Sequence, residues 1–256
     1  MDANAIRALL ISTLAGLSTM LGALLILVVK DNKRFVSVSL GFASGIMISV
    51  SLTDLFPTAQ IMFESYLGSA MSVVYNALFL GVGVIIAALL DKLVPHEKKD
   101  KLTGEVPHKN LFRVGFISML AIALHNFPEG IATFMAGYSD FKIGISIAVA
   151  IAFHNIPEGI SVAIPIYSAT NNKLKAFKYT FLSGVAEPLG AFAAFLILMP
   201  VINEFLLGAM LSLVSGIMIY IAIEEMLPTS RQYGFERDAL ISTFVGICLM
   251  PITRIF

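Results

Sequence analysis

The chain has 256 residues with 17 acidic and 17 basic side chains, and its mean hydropathy is +0.87. Only 13% of its residues are charged, about half the proportion found in soluble domains, which excludes a soluble enzyme and a disordered chain. No net basic charge is present to bind nucleic acid, and the single cysteine, Cys248, excludes a disulfide framework or a cysteine-rich metal site. The composition therefore predicts an all-α, polytopic membrane protein.

Eight segments are long and apolar enough to cross about 30 Å of hydrocarbon, which takes roughly 20 helical residues. We expect one transmembrane domain over 1–256, in which the longest loop, 94–110, follows the third span. The first span is not a signal peptide, because its apolar run is too long and no cleavage pattern ends it. The predicted spans are 6–29, 35–57, 70–93, 111–137, 141–167, 176–200, 203–228 and 239–256.

Basic side chains predict the orientation of these spans. Fourteen Lys and Arg residues fall in the loops that follow odd-numbered spans, against three on the other side, which are Arg7, Lys142 and Arg254. Because basic loops stay in the cytoplasm, both termini are expected outside and loop 94–110 is expected to be cytoplasmic. The small size favours a bacterial inner membrane.

Three pairs of segments resemble each other, and each pair lies in spans predicted to run in opposite directions. Such inverted repeats are typical of transporters with a polar site near the bilayer midplane. The sequence therefore predicts an inverted 3+2+3 repeat. The pairs are SGIMISVSLTDLFP (44–57) with SGIMIYIAIEEMLP (215–228), LAGLSTMLGA (14–23) with LSGVAEPLGA (182–191), and HNFPEG (125–130) with HNIPEG (154–159).

Several polar side chains fall near the middle of their spans, where ionisable groups are costly and mark functional sites. His125 and Glu129 are four residues apart and share a helix face, while Asn126 is three residues before Glu129. The second motif repeats this spacing. Two facing helices would therefore form a site of two His and two Glu beside an oxygen-rich site, in which carboxylates bridge two ions. The predicted ligands are His125, Asn126, Glu129, His154, Asn155, Glu158 and, completing the oxygen-rich site, Glu187.

The ligand types restrict the bound ion. Imidazole with carboxylate suits Zn²⁺, Fe²⁺, Co²⁺, Mn²⁺ and Cd²⁺, and an Asn/Glu oxygen site favours the harder Fe²⁺ and Mn²⁺. These ions are expected as transported substrates rather than as prosthetic groups.

At these residues the chain resembles the ZIP (ZRT/IRT-like protein) family of divalent-metal transporters, in its bacterial, ZupT-type zinc-uptake branch. The resemblance implies eight spans, import of divalent metal into the cytosol, a binuclear site, and frequent homodimerisation. It assigns His125, Glu129, His154 and Glu158 to the first site, and Asn126, Glu129, Asn155, Glu158 and Glu187 to the second. Loop 94–110 departs from the often His-rich family pattern, since it holds only His96 and His108.

Acidic residues also lie near the ends of two spans. Asp54 is expected near the outer end of the second span, and Glu224 and Glu225 near the inner end of the seventh. They are candidate way-stations for a cation, because acidic rings attract cations; ordinary interfacial charges are the alternative. Asp91 is expected to be solvated.

Two other functions compete with metal transport. An intramembrane metalloprotease would need H-E-x-x-H, but Asn follows each histidine here and Glu takes the fourth position after it. A proton or sodium carrier could use the carboxylates alone, although imidazole is a poor ligand for sodium. We therefore expect a transporter and not an enzyme, with divalent metal ions and the lipid bilayer as partners.

Overall fold

The computed structural model describes residues 3–27, 33–93, 108–198 and 203–253, so residues 94–107 of the predicted cytoplasmic loop lie outside the described part. Within that part all regular structure is helical. A 3-10 turn, Leu24–Leu27, follows α1, and five-residue π turns occupy Ser51–Leu55, Ala194–Leu198 and Ala222–Met226. The helices are α1 Ala3–Ala23, α2 Lys33–Val50, α3 Phe56–Leu67, α4 Ser69–Leu93, α5 His108–Ser139, α6 Phe141–Thr170, α7 Lys173–Gly184, α8 Ala186–Ala193, α9 Glu204–Ile221, α10 Leu227–Arg231 and α11 Glu236–Thr253.

Six stretches of the described chain are long and apolar enough to cross a membrane, which confirms an all-α, polytopic membrane protein. They correspond to six of the predicted spans, while the fifth and eighth predicted spans are the helices α6 and α11. A total of eight membrane crossings stays a prediction. The six stretches are Ala3–Ala23, Lys33–Leu67, Ser69–Lys92, Leu111–Tyr138, Lys173–Leu196 and Glu204–Arg231.

The outward face of α4 is apolar along its length. Val74, Leu78, Ile85 and Leu89, which follow a helical spacing, are each more than half exposed. In water such a stripe would be an interaction surface, whereas a spanning helix presents it to lipid. This face therefore agrees with a membrane location.

The second and seventh spans have the same local distortion at equivalent positions. A π turn precedes Pro57 and another precedes Pro228, and in each the residue before the proline donates its N–H to a carbonyl five residues back: Phe56 to Ser51 and Leu227 to Ala222. Because the widened turn accommodates a ring that has no N–H, the second span continues past Pro57 and ends at Leu67 rather than at residue 57.

Close contacts between helices recur in pairs related by the repeat. At each glycine in these contacts a Cβ atom would strike a backbone carbonyl of the neighbouring helix, and such close approach is typical of small residues in membrane helices. When both residues of one contact are replaced by their counterparts in the other repeat, the second contact of the pair results. The pairs are Gly22 on Ile156 with Gly190 on Phe127, Gly159 on Thr19 with Gly130 on Glu187, Gly45 on Thr243 with Gly216 on Leu80, and Gly246 on Phe42 with Gly83 on Leu213.

These paired contacts extend the repeat to the third and eighth spans, which the three sequence pairs do not include. The packing thus relates spans 1, 2 and 3 to spans 6, 7 and 8, and span 4 to span 5, in agreement with the predicted 3+2+3 arrangement. Its inverted character is seen where the second and seventh spans cross. Ser215 Oγ donates to the Ser51 carbonyl at 3.0 Å. Gly208, which precedes Ser215 on α9, faces Ala59, which follows Ser51 on the second span. The two spans therefore run antiparallel.

Candidate metal site

His125 lies between two carboxylates that come from different helices. Its Nε2 is 3.6 Å from Glu129 Oε2 on α5 and 3.7 Å from Glu158 Oε1 on α6, and all three side chains are buried. Two ligand atoms bound tetrahedrally to zinc at about 2.05 Å are about 3.4 Å apart. Each of these two nitrogen–oxygen distances is therefore a few tenths of an ångström longer than the spacing between two ligands of a shared zinc ion, so the three side chains lie near one another without forming a complete metal-binding arrangement.

The two motif asparagines connect this centre to neighbouring helices. Asn155 Nδ2 donates to the Ala15 carbonyl of α1 at 3.0 Å and to Glu187 Oε2 of α8 at 3.1 Å. Asn126 Nδ2 donates to the Ser183 carbonyl of α7 at 3.2 Å. The amide nitrogens are thus engaged, and the side-chain oxygens are left for another partner.

Among the buried oxygens that have no hydrogen-bond partner in the described part of the chain, three belong to predicted ligands: Asn126 Oδ1, Asn155 Oδ1 and Glu187 Oε1. Their residues are completely inaccessible to solvent. A buried polar atom without a partner costs on the order of 1–3 kcal/mol, so such atoms point to a bound ion or water. Amide and carboxylate oxygens are hard donors, suited to the hard end of the divalent series.

A break in the sixth span positions Glu187. Pro188 has no N–H for the carbonyl of Gly184, and α7 ends at Gly184, where Gly16 of α1 approaches so closely that a Cβ on either glycine would lie 2.6 Å from the other's carbonyl oxygen. Helix α8 restarts after Val185, with Glu187 in its first turn. The sixth span is therefore two helices, with Glu187 just after the break.

The second motif histidine, His154, lies within α6, but its side chain is outside the described part. Among the described side chains, no group of three or more His, Cys, Asp or Glu residues is arranged to hold a metal ion. The place of His154 among the ligands stays a prediction.

Comparison with known proteins gives a consistent result. The profile described as ZIP Zinc transporter matches residues 94–254, which include both HN-x-PEG motifs. Zinc transporter ZupT of Streptococcus mutans is 43% identical over 99% of this chain and 98% of the relative. The protein of the same name from Oceanobacillus iheyensis is 42% identical over 98% and 97%, and that from Clostridium perfringens is 39% identical over 98% and 95%.

The chain belongs to the ZIP family. Membership confirms the resemblance drawn from the motifs, including the ZupT-type branch, and it confirms a transporter of divalent metal rather than an enzyme.

In this ZIP transporter the three candidate way-station residues have different surroundings. Asp54 is half-buried in the first π turn, and Glu224 is exposed in the third. Glu225 is buried and accepts a hydrogen bond from Arg113 Nη1 at 2.5 Å. A cation reaching Glu225 would have to compete with that guanidinium.

The expectation that Asp91 is solvated is wrong. Asp91 is 7% exposed, it forms an ion pair with Arg113 Nη2, and it accepts a hydrogen bond from Tyr220 at 3.3 Å. Arg113, 4% exposed, thus joins α4, α5 and the π turn after α9. Sequence reasoning missed this cluster because a charge at the end of an apolar run looks interfacial until its partners on distant spans are known. Buried charges persist only when they are paired.

Proposed function

We propose that this ZIP protein carries zinc into the cytosol through a binuclear site near the bilayer midplane. The observation that carries the proposal is the position of His125 Nε2, 3.6 Å and 3.7 Å from carboxylate oxygens of Glu129 and Glu158. One imidazole and two carboxylates supply three of the four ligands of a tetrahedral zinc site. His154, the repeat counterpart of His125, is proposed as the fourth.

A second, oxygen-rich site is proposed beside the first, formed by Asn126, Asn155 and Glu187 and sharing Glu129 and Glu158. It is supported by the buried side-chain oxygens Asn126 Oδ1, Asn155 Oδ1 and Glu187 Oε1, which have no donor within the described part of the chain. The carboxylates of Glu129, Glu158 and Glu187 carry three negative charges, which exceed the charge of one divalent ion. A second ion or a proton could therefore bind as well. Hard oxygen ligands extend the proposed substrates from zinc to Fe²⁺, Mn²⁺, Co²⁺ and Cd²⁺.

The proposed setting is a bacterial inner membrane, with eight spans, both termini outside, and loop 94–110 in the cytoplasm. The excess of Lys and Arg in the loops after odd-numbered spans supports this orientation. A homodimer is proposed from the family resemblance, and the mass of the purified protein in a lipid nanodisc would test it.

Asp54 and Glu224 are proposed as way-stations at the outer and inner ends of the cation path, and Glu225 becomes available only when Arg113 releases it. The half-buried position of Asp54 and the exposure of Glu224 suit groups that meet hydrated ions. Alanine at Asp54 should raise the zinc concentration needed for half-maximal uptake. An unchanged uptake curve would reduce Asp54 to an interfacial charge.

Flux into liposomes that contain a zinc-sensitive dye tests the proposal. The wild-type protein should load zinc, whereas Glu129→Gln, which keeps the side-chain shape but removes a shared charged ligand, should retain less than about a tenth of the rate. Glu64→Gln is the matched control, because Glu64 is an exposed carboxylate on α3. Flux of sodium or protons without zinc would favour the carrier that uses carboxylates alone. Equal zinc flux through both variants would contradict the proposed site.

A further inference from the structure

The repeat assigns the metal-site residue Glu187 a counterpart on α1. Matching 14–23 to 182–191 aligns Thr19 with Glu187, and the packing agrees. The Thr19 backbone carbonyl faces Gly159 of the second motif just as the Glu187 carbonyl faces Gly130 of the first. Thr19 therefore occupies, on the opposite side of the pseudo-symmetric site, the position where α8 has a carboxylate.

The asparagine contacts place Thr19 in the same layer as the predicted ligands. Asn155 donates to the carbonyl of Ala15, one turn before Thr19, and Asn126 donates to the carbonyl of Ser183, one turn before Glu187. Thr19 Oγ1 also lies close to Gly184, since a Cβ atom placed on that glycine would be 3.3 Å from the hydroxyl oxygen. The Thr19 hydroxyl is thus next to the backbone segment that anchors Asn126.

The hydroxyl itself has no hydrogen-bond partner in the described part of the structure, although Thr19 is completely buried. Threonine in a helix usually donates back to the carbonyl four residues earlier, as Thr13, Thr133 and Thr180 do here at 2.7–3.0 Å. For Thr19 that acceptor is the Ala15 carbonyl, which already accepts from Asn155 at 3.0 Å and from Ser18 at 2.5 Å. Two side-chain donors already use this oxygen, and the Thr19 hydroxyl does not bond to it, so the hydroxyl remains available for another partner.

We infer that Thr19 is a further cation-contacting residue, whose hydroxyl oxygen binds the ion of the oxygen-rich site opposite Glu187. This inference rests on the proposed function. A hydroxyl is a hard, neutral donor, so it adds an oxygen ligand for ions such as Mn²⁺ without adding a negative charge to those of the three carboxylates. Thr19 thereby makes the site asymmetric, with a carboxylate on one side and a hydroxyl on the other, and it favours manganese relative to zinc.

Titration calorimetry on the full-length protein in nanodiscs, with Mn²⁺ and Zn²⁺ as separate probes, tests the inference. Thr19→Val, which keeps the shape and removes the oxygen, should weaken manganese binding by about tenfold, the scale of one lost polar contact to a charge. Zinc binding should change by less than about threefold, because zinc is held chiefly by His125 and the two glutamates. Thr19→Ser should restore manganese binding, since it returns the oxygen.

Thr13→Val is the matched control, because Thr13 is on the same helix but its hydroxyl is bonded to Leu9 at 2.7 Å. Manganese binding that is unchanged in Thr19→Val would overturn the inference. A loss of manganese binding in Thr19→Ser or in Thr13→Val that is as large as the loss in Thr19→Val would also overturn it. An equal loss of affinity for both metals in Thr19→Val would also overturn the inference, as would a wild-type protein that binds zinc but not manganese. In both cases the proposed zinc function would stand. A wild-type protein that binds neither metal and shows no flux would instead overturn the proposed function.

Discussion

Glu158 offers the sharpest test of the zinc site, because one substitution removes a charge and leaves the volume nearly unchanged. Glu158 is 1% exposed, and its Oε1 is 3.7 Å from His125 Nε2. Removing one partner of a buried charge interaction costs about 3–5 kcal/mol. At 1.4 kcal/mol per tenfold change, Glu158→Gln should raise the zinc dissociation constant by roughly two to three and a half orders of magnitude.

Thermal unfolding in detergent or nanodiscs measures this effect without a transport assay. At a zinc concentration 100 times the wild-type dissociation constant, binding stabilises the wild-type protein by about 2.7 kcal/mol. The Glu158→Gln variant should gain well under 1 kcal/mol at the same concentration, since the metal would then be at or below its dissociation constant. Glu64→Gln should behave as wild type. A full zinc-dependent shift in Glu158→Gln would refute the reasoning, provided that the metal-free variant unfolds cooperatively.

Three further predictions concern the ligands and the buried ion cluster. His125→Ala should weaken zinc binding more than manganese binding, because imidazole is the softer ligand; equal losses in calorimetry would argue against two chemically distinct sites. Lowering the pH from 7 to 5 should weaken zinc binding, because protonated histidine, with a reference pKa of about 6.5, cannot bind metal; a constant affinity over this range would contradict histidine ligation. Arg113→Ala should destabilise the protein by about 3–5 kcal/mol, because it leaves Asp91 and Glu225 buried without their cation. The control is Arg231→Ala, at an exposed arginine, which should change the free energy of unfolding by less than about 0.5 kcal/mol. Equal unfolding temperatures for the two variants would show that the cluster contributes little.

The features that depend on spacing along one helix could be predicted from the sequence. His125 and Glu129 share a face because they are four residues apart, and the structure places them 3.6 Å from each other. The relation between the second and seventh spans could be recognised from sequence similarity, because the buried residues of the two spans are similar. Residues facing lipid need only be apolar, so the third and eighth spans diverged and their relation emerges from the paired contacts of Gly83 and Gly246.

Features made by several distant helices could not be predicted. The role of α1 depends on the backbone carbonyl of Ala15, and a carbonyl gives no signal in a sequence because every residue has one. The burial of Asp91 depends on Arg113 and Tyr220, which lie on other spans. The second span is predicted to end at residue 57, whereas the helix continues beyond Pro57 through a π turn, which the apolar pattern does not indicate.

Anomalous scattering from crystals soaked separately in zinc and in manganese tests the central claim most directly. The zinc data should contain a peak about 2 Å from His125 Nε2 that is also within ligand distance of Glu129 and Glu158. The manganese data should contain a peak among Asn126, Asn155 and Glu187. Well-ordered crystals with no anomalous peak between α5 and α6, or with metal bound only at surface carboxylates, would contradict the claim that the two motifs hold the transported ion together.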